Sequence, residues 1–235
     1  MKNSQQFQEA KKYNMVDSLN QVTYGNLNKF SIDQLKEKCI ADAVIPILDK
    51  VYGSKLDFPV NDSDTTKEEL NIIKKALDTI YEEDNAEHLG RFRRYDKSLM
   101  QTINSVFYVK GVTVDDLVKS VSEDITPAIY KLKQKYQRPR PYQLAQYYKL
   151  KLFPYNSLSA HTPSYPSGHT VQAYVILNVI GSKHPKTYQY CKKMIDDIAQ
   201  SRVSLGVHYP SDNDASYIIG REILKLPEFT KKYEL

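Results

Sequence analysis

After residue 30, hydrophobic positions recur mainly at three- and four-residue spacing, and convincing two-residue strand alternation is absent throughout. Ser31 followed three residues on by Gln34 forms a capping box, predicting a helix through Leu48 that Pro46 bends or ends. Residues 53–64 carry the turn formers Pro59, Asn61 and Asp62 and are predicted to be a loop. A second capping box, Thr65 with Glu68, precedes Leu70, Ile73, Leu77 and Ile80 at helical spacing. Thr113 with Asp116 opens a third helix, with Leu117, Val118, Val121, Ile125, Ile129 and Leu132 on one face and Pro127 interrupting. It should end near Arg138, because Pro139 and Pro141 drive their predecessors out of the α region. A short helix is expected at 142–151 and a loop with three prolines at 153–166. Helices resume at 167–180, 185–205 and 211–226. The pattern predicts an all-α bundle, with a polar N-terminal arm at 1–30 and one domain over 31–235.

Composition narrows the classes without choosing one. Of 235 residues, 41% are apolar and 26% charged, the balance of a folded globular chain. The net charge of +5 fits a pocket or patch that attracts anions, which leaves phosphate esters, nucleic acid and anionic membranes all open. Two cysteines, Cys39 and Cys191, are too few for a disulfide framework or a cysteine zinc site, so a reducing compartment is expected. The polar N-terminus lacks an apolar signal region. The most apolar runs, 43–48 and 173–180, fall short of the roughly 20 residues of a membrane span. A soluble, cytoplasmic, non-membrane-spanning protein is expected.

Candidate chemistry gathers in three segments of the C-terminal half. In the last, His208 and Asp212 are four apart, so on a helix they would share a face. Asp212 could then hold one imidazole nitrogen and leave the other unprotonated and nucleophilic. Arg202, six residues earlier, could aim its guanidinium into the same pocket. A capping histidine–aspartate pair on a surface turn explains this segment equally well. In the middle segment, Ser167 and Gly168 stand where a loop enters a helix, a place for anions to meet free N–H groups. Ser167 adds a hydroxyl, and His169 follows in the first turn, placed to protonate a leaving group. The alternative is a Pro-Ser cap beside an incidental histidine. In the first segment, Arg140 could grip phosphate oxygens, with Lys133 about two helical turns back on the same face. Alone, this segment reads better as a solvated basic helix end. Together, three cations, a helix N-terminus and two histidines suit the transition state of phosphoryl transfer.

The set resembles the phosphatidic acid phosphatase type 2 (PAP2) superfamily, whose signature is filled in order. The matching residues are Lys133, Arg140 and Pro141, then Pro166, Ser167, Gly168 and His169, then Ser201, Arg202, His208 and Asp212. The resemblance covers about 113–226, and the details around His169 and His208 are most similar to soluble class A non-specific acid phosphatases. It implies an all-α bundle and a metal-free, cofactor-free phosphatase for small phosphate esters. By the resemblance, His208 attacks phosphorus, Asp212 orients it, and His169 protonates the leaving oxygen and then activates water. Lys133, Arg140, Ser167, Gly168 and Arg202 would hold the phosphate. Two departures stand out. Class A enzymes are usually exported, and Arg138-Pro139 offers a second register with Lys131 as its lysine; the match of Arg138-Pro-Arg140-Pro-Tyr142 to the class pattern favours Lys133 and Arg140.

Two rivals remain. Vanadium-dependent haloperoxidases resemble the same motif set, with vanadate in the place of phosphate, but they tend to be much larger chains. A nucleic-acid-binding protein using the basic-aromatic stretch 131–147 would leave the other two segments without a role. A serine hydrolase lacks its nucleophile elbow, and a zinc site from His161, His169 and His208 lacks ligand spacing and faces nearby cations. No nucleic-acid partner is expected, and a homodimer is compatible with the sequence. Tyr165, Tyr209, His88 and His184 are read as structural.

Overall fold

The structure, a computed structural model, describes residues 19–24, 40–157 and 159–235. Among them are helices and irregular segments but no strand. The capping box at Ser31 and Gln34 and most of the N-terminal arm lie outside the described residues. Residues 19–24 lie against the body, where Asn61 Nδ2 donates to the Leu19 and Val22 carbonyls at 2.8 and 2.9 Å.

Helix α1 (Ile40–Val51) continues past Pro46 and past the expected end at Leu48, burying Val44 and Leu48. Helix α2 (Asp64–Ile80) is capped by Ser63, whose Oγ accepts from the Thr66 amide at 3.1 Å. The expected cap at Thr65 therefore falls inside the helix, because a hydroxyl two residues earlier meets the free N–H. Leu70, Ile73, Leu77 and Ile80 form its buried stripe as the spacing predicts. Helices α3 (Ala86–Lys97) and α4 (Leu99–Val109) fall where the pattern assigns no element. Of α3, only Phe92, Tyr95 and Asp96 are buried, too narrow a face to register against its charges.

Helix α5 (Asp115–Tyr136) includes Pro127 and ends when Gln137 enters the left-handed region at φ 52°. A short α6 (Pro141–Ala145) follows, then an irregular stretch leading to α7 (Gly168–Lys183). Helices α8 (Tyr188–Ser204), α9 (Pro210–Leu224) and α10 (Pro227–Tyr233) complete the chain. The helix expected to run to residue 226 stops at Leu224, and Pro227 starts a new one.

Helix α7 lies at the centre, packed against α5, α8 and α9. Val171, Ala173, Val175, Ile176, Leu177, Val179 and Ile180 are all buried, so it is apolar around most of its circumference. At about 1.5–3 kcal/mol for each large aliphatic side chain buried, this element fixes its neighbours firmly. Two glycines permit the close packing. Gly220 on α9 lies where a Cβ would come within 2.6 Å of the Tyr174 ring on α7. Gly206, at φ 74°, makes the turn that leads from α8 toward His208. The most deeply packed helix therefore presents Gly168 and His169 in its first turn. No helix of the described residues is long and apolar enough to cross a membrane.

Candidate active site

A cavity of ≈ 290 Å³ opens at the N-terminal end of α7. Lys133, Arg140, Gly168, His169 and His208 line it, with Tyr130, His161 and Gln172 among its other walls. Residues from all three sequence segments therefore meet at one place. A larger surface groove, ≈ 590 Å³ and bordered by Arg94, Val109 and Tyr190, contains none of them.

His208 and Asp212 meet, but not by sharing a helical face. His208 lies in the turn after α8, and Pro210 holds Tyr209 extended (φ −81°, ψ 155°), so α9 begins only afterwards. Asp212 occupies the first turn of α9 and folds back as a cap. Its Oδ2 accepts from the Tyr209 amide (3.0 Å), from the Ser164 hydroxyl (2.5 Å) and from His208 Nδ1 (3.0 Å). The other ring nitrogen, Nε2, lies 2.9 Å from Arg140 Nη1. A guanidinium can only donate, so Nε2 must carry the lone pair and Nδ1 the proton. The buried imidazole is thereby held in one tautomer, with its basic nitrogen beside the cavity. Burial and the Arg140 charge push His208 well below the usual imidazole range, against the pull of Asp212. Burial raises the Asp212 carboxyl, but Arg138 and the His208 hydrogen bond outweigh it and hold the group below the usual carboxylate range.

The cations converge differently from the expected helical face. Helix α5 ends at Tyr136, and the extended segment through Arg140 brings its guanidinium back toward Lys133. Arg140 is clamped by the Thr162 carbonyl (2.8 Å) and the Val207 carbonyl (2.6 Å), and burial lowers it to about 10. Lys133 Nζ donates to the Pro163 carbonyl at 2.5 Å and is lowered by burial and by Arg140. The alternative pair points elsewhere. Arg138 is buried between Asp212 (2.7 Å) and Glu69 (2.9 Å), over the Tyr209 ring, while Lys131 reaches Asp42 at the surface. Neither Arg138 nor Lys131 lines the cavity.

Two expected phosphate ligands stand behind the wall. Ser167 is fully buried, with its hydroxyl 2.9 Å from Thr170 Oγ1. Arg202 is also fully buried, held by Asp96 (2.8 Å) and Ser159 (3.1 Å). Among the described residues its Nε has no hydrogen-bond partner. Burial and the Arg202 charge lower His169, against the nearby charge of Asp96.

Asp96 escapes the sequence reading. Asp96 Oδ1 accepts from Arg202, Ser157 (2.5 Å) and Ser159 (2.9 Å), and these donors hold its carboxyl low despite burial. It lies in the charged run from Arg91 to Lys97, which resembles a solvated helix face, and no local spacing singles it out.

The PAP2 superfamily model matches residues 111–226. Non-specific acid phosphatases of Salmonella typhimurium and Salmonella typhi are each 31% identical over 103 residues, 42% of this chain and 41% of theirs. One from Providencia stuartii is 31% identical over 106 residues, 43% of this chain and 42% of its own. The matched stretch thus spans about two fifths of these relatives' length. In fold, the chain is similar to the transmembrane PAP2 type phosphatidylglycerolphosphate phosphatase from Bacillus subtilis. That likeness has a TM-score of 0.53 at 19% identity and covers 83% of this chain and 95% of the other. The fold class read from the sequence, an all-α bundle of this type, is the one observed. Residues 111–226 of the chain belong to the PAP2 superfamily.

Proposed function

We propose that the protein is a metal-independent phosphomonoester hydrolase that works through a phosphohistidine on His208. The observation that carries this reading is the tautomer of His208, with Nδ1–H held by Asp212 and the unprotonated Nε2 beside the cavity.

The chemistry follows from the placement of each group. A phosphate monoester enters with its oxygens facing Lys133, Arg140 and the amide end of α7, with Arg202 behind. Arg140 turns its Nη1 from His208 to the phosphate. His208 Nε2 attacks phosphorus as the bond to the ester oxygen breaks, and His169 protonates the departing oxygen. Water then attacks the phosphohistidine, giving its proton to His169. The P–N bond breaks, inorganic phosphate leaves and His208 returns to its starting tautomer. Fixed cations meet the charge on the equatorial oxygens, so this scheme asks nothing of a metal ion.

The test is release of p-nitrophenol from p-nitrophenyl phosphate in EDTA, beside His208→Ala. Turnover that resists chelation and disappears in the variant is expected. Equal activity in both proteins would remove His208 as the nucleophile.

A further inference from the structure

Helix α2 lies outside the matched segment 111–226, yet one of its side chains reaches the first turn of α9, where Asp212 meets His208. Glu69 stands beside Leu70 on the buried side of α2, and its carboxylate is enclosed. Oε2 accepts from Arg138 Nη2 at 2.9 Å, and Oε1 accepts from the Ser211 amide at 2.6 Å. The second bond ties the carboxylate to α9 itself, one residue before Asp212. Arg138 closes the ring from the other side. Its Nη1 donates to Asp212 Oδ1 at 2.7 Å and to the Ser211 hydroxyl at 2.8 Å. Its Cζ lies 3.7 Å from the centre of the Tyr209 ring and 4.9 Å from that of Phe58.

These contacts decide how much of the Asp212 charge reaches His208. A guanidinium on Oδ1 draws charge away from Oδ2, the oxygen that holds His208 Nδ1. With Glu69 on its other arm, Arg138 is shared between two carboxylates. Glu69, Arg138 and Asp212, all buried, then carry a net negative charge as a group. In the low-dielectric interior that charge acts strongly on the ring beside it. This ring must become cationic, because Nδ1 keeps its proton while Nε2 bonds phosphorus. Without Glu69, the Arg138–Asp212 pair would be neutral as a whole.

We propose that Glu69, acting through Arg138, is a positioning residue for the Asp212–His208 pair: it takes up the guanidinium and leaves the Asp212 charge directed at His208. The inference rests on the phosphatase reading above, in which His208 bears the phosphoryl group. Glu69 does not line the cavity and touches no substrate.

Two variants separate charge from mere bracing. Glu69→Gln keeps the shape of the side chain and leaves Arg138 to pull on Asp212 alone. Glu69→Gln combined with Arg138→Gln removes both charges and returns the full carboxylate to His208. The double variant leaves no half of the Glu69–Arg138 pair uncompensated, so it should fold. The readouts are thermal melting, kcat/KM for p-nitrophenyl phosphate, which includes attack by His208, and the proton resonance of His208 Nδ1–H. That resonance moves downfield as the hydrogen bond to Asp212 strengthens. In Glu69→Gln it should move upfield, and kcat/KM should fall about 10- to 100-fold, the usual loss when the outer partner of a functional carboxylate is removed. The double variant should show the resonance at its wild-type position and recover most of the lost kcat/KM. A bracing role alone predicts the reverse, with the double variant the poorer enzyme.

A folded Glu69→Gln protein with wild-type kcat/KM, or with an unmoved Nδ1 resonance, would overturn the inference. So would a double variant whose resonance lies upfield of wild type, even where Glu69→Gln alone does not fold. Each of these results leaves the phosphatase reading intact. A wild-type protein that does not turn over the ester, or whose turnover survives His208→Ala, would bring down that reading and the inference with it.

Discussion

Replacing Asp212 by Asn keeps the shape of a buried side chain but removes its charge and one acceptor. In the native site Oδ2 serves three donors, His208 Nδ1, the Tyr209 amide and Ser164, while Oδ1 faces Arg138 Nη1 at 2.7 Å. An amide has two orientations there, and both fail. With its oxygen at the Oδ2 place, its NH₂ meets the Arg138 guanidinium, donor against donor. With the amide flipped, the NH₂ faces His208 Nδ1 and forces the proton to Nε2, which then opposes Arg140 and cannot attack phosphorus. Loss of tautomer control in a carboxylate–histidine pair costs about 10³- to 10⁴-fold in kcat, or roughly 4–5.5 kcal/mol of transition-state stabilisation. Glu69 still pairs Arg138, so the stability loss should sit near the low end for a broken buried pair, about 3 kcal/mol. Steady-state hydrolysis of p-nitrophenyl phosphate and thermal melting followed by circular dichroism measure the two effects. A folded Asp212→Asn protein with kcat within tenfold of wild type would refute the reasoning about the tautomer.

Other outcomes follow from the same geometry. His169 and His208 are buried with lowered proton affinity, so below about pH 6.5 the unfolded chain binds protons that the folded chain refuses. Stability should therefore fall with pH from that point, by up to about 2.7 kcal/mol per unit for the two histidines, as denaturant titrations at several pH values would register. Inorganic phosphate should raise the melting temperature in wild type and much less in Arg140→Ala, because the anion would bind the cation-lined cavity of the folded state alone. Asp96→Asn removes a charge that raises the proton affinity of His169, so the alkaline limb of the kcat/KM profile should move to lower pH. Gly220→Ala drives a methyl toward the Tyr174 ring and should cost about 1–3 kcal/mol of stability, with the active-site kinetics unchanged.

The sequence is most legible where apolar spacing and local chemistry agree. The stripes of α2 and α5 read directly, since each repeats every three or four residues and is buried along that face. Helix α7 reads through its loop-to-helix entry at Ser167 and Gly168. Helix α3 is hidden because its role is polar: it buries Tyr95 and Asp96 for contacts with partners on α8, about a hundred residues away in the chain. The same distance hides the environment of Arg202, whose partner Asp96 has no local signature. His208 and Asp212 are placed together by their spacing, but a proline-directed turn and a cap join them rather than a helical face. Lys133 and Arg140 likewise meet because the chain reverses at Gln137, which spacing alone does not encode. Ser167 lies behind the cavity wall with its hydroxyl on Thr170, where a motif alone would set it facing a ligand.

The covalent step is the centre of the account, and trapping it is the most direct measurement. Protein quenched in alkali during turnover of p-nitrophenyl phosphate, then digested and read by mass spectrometry, should carry one phosphoryl group on the peptide containing His208. The adduct should be absent in His208→Ala and should accumulate if water attack is slowed in His169→Ala. Turnover by the wild-type protein with the phosphoryl group on another residue, or with none trapped in either wild type or His169→Ala, would contradict attack by His208.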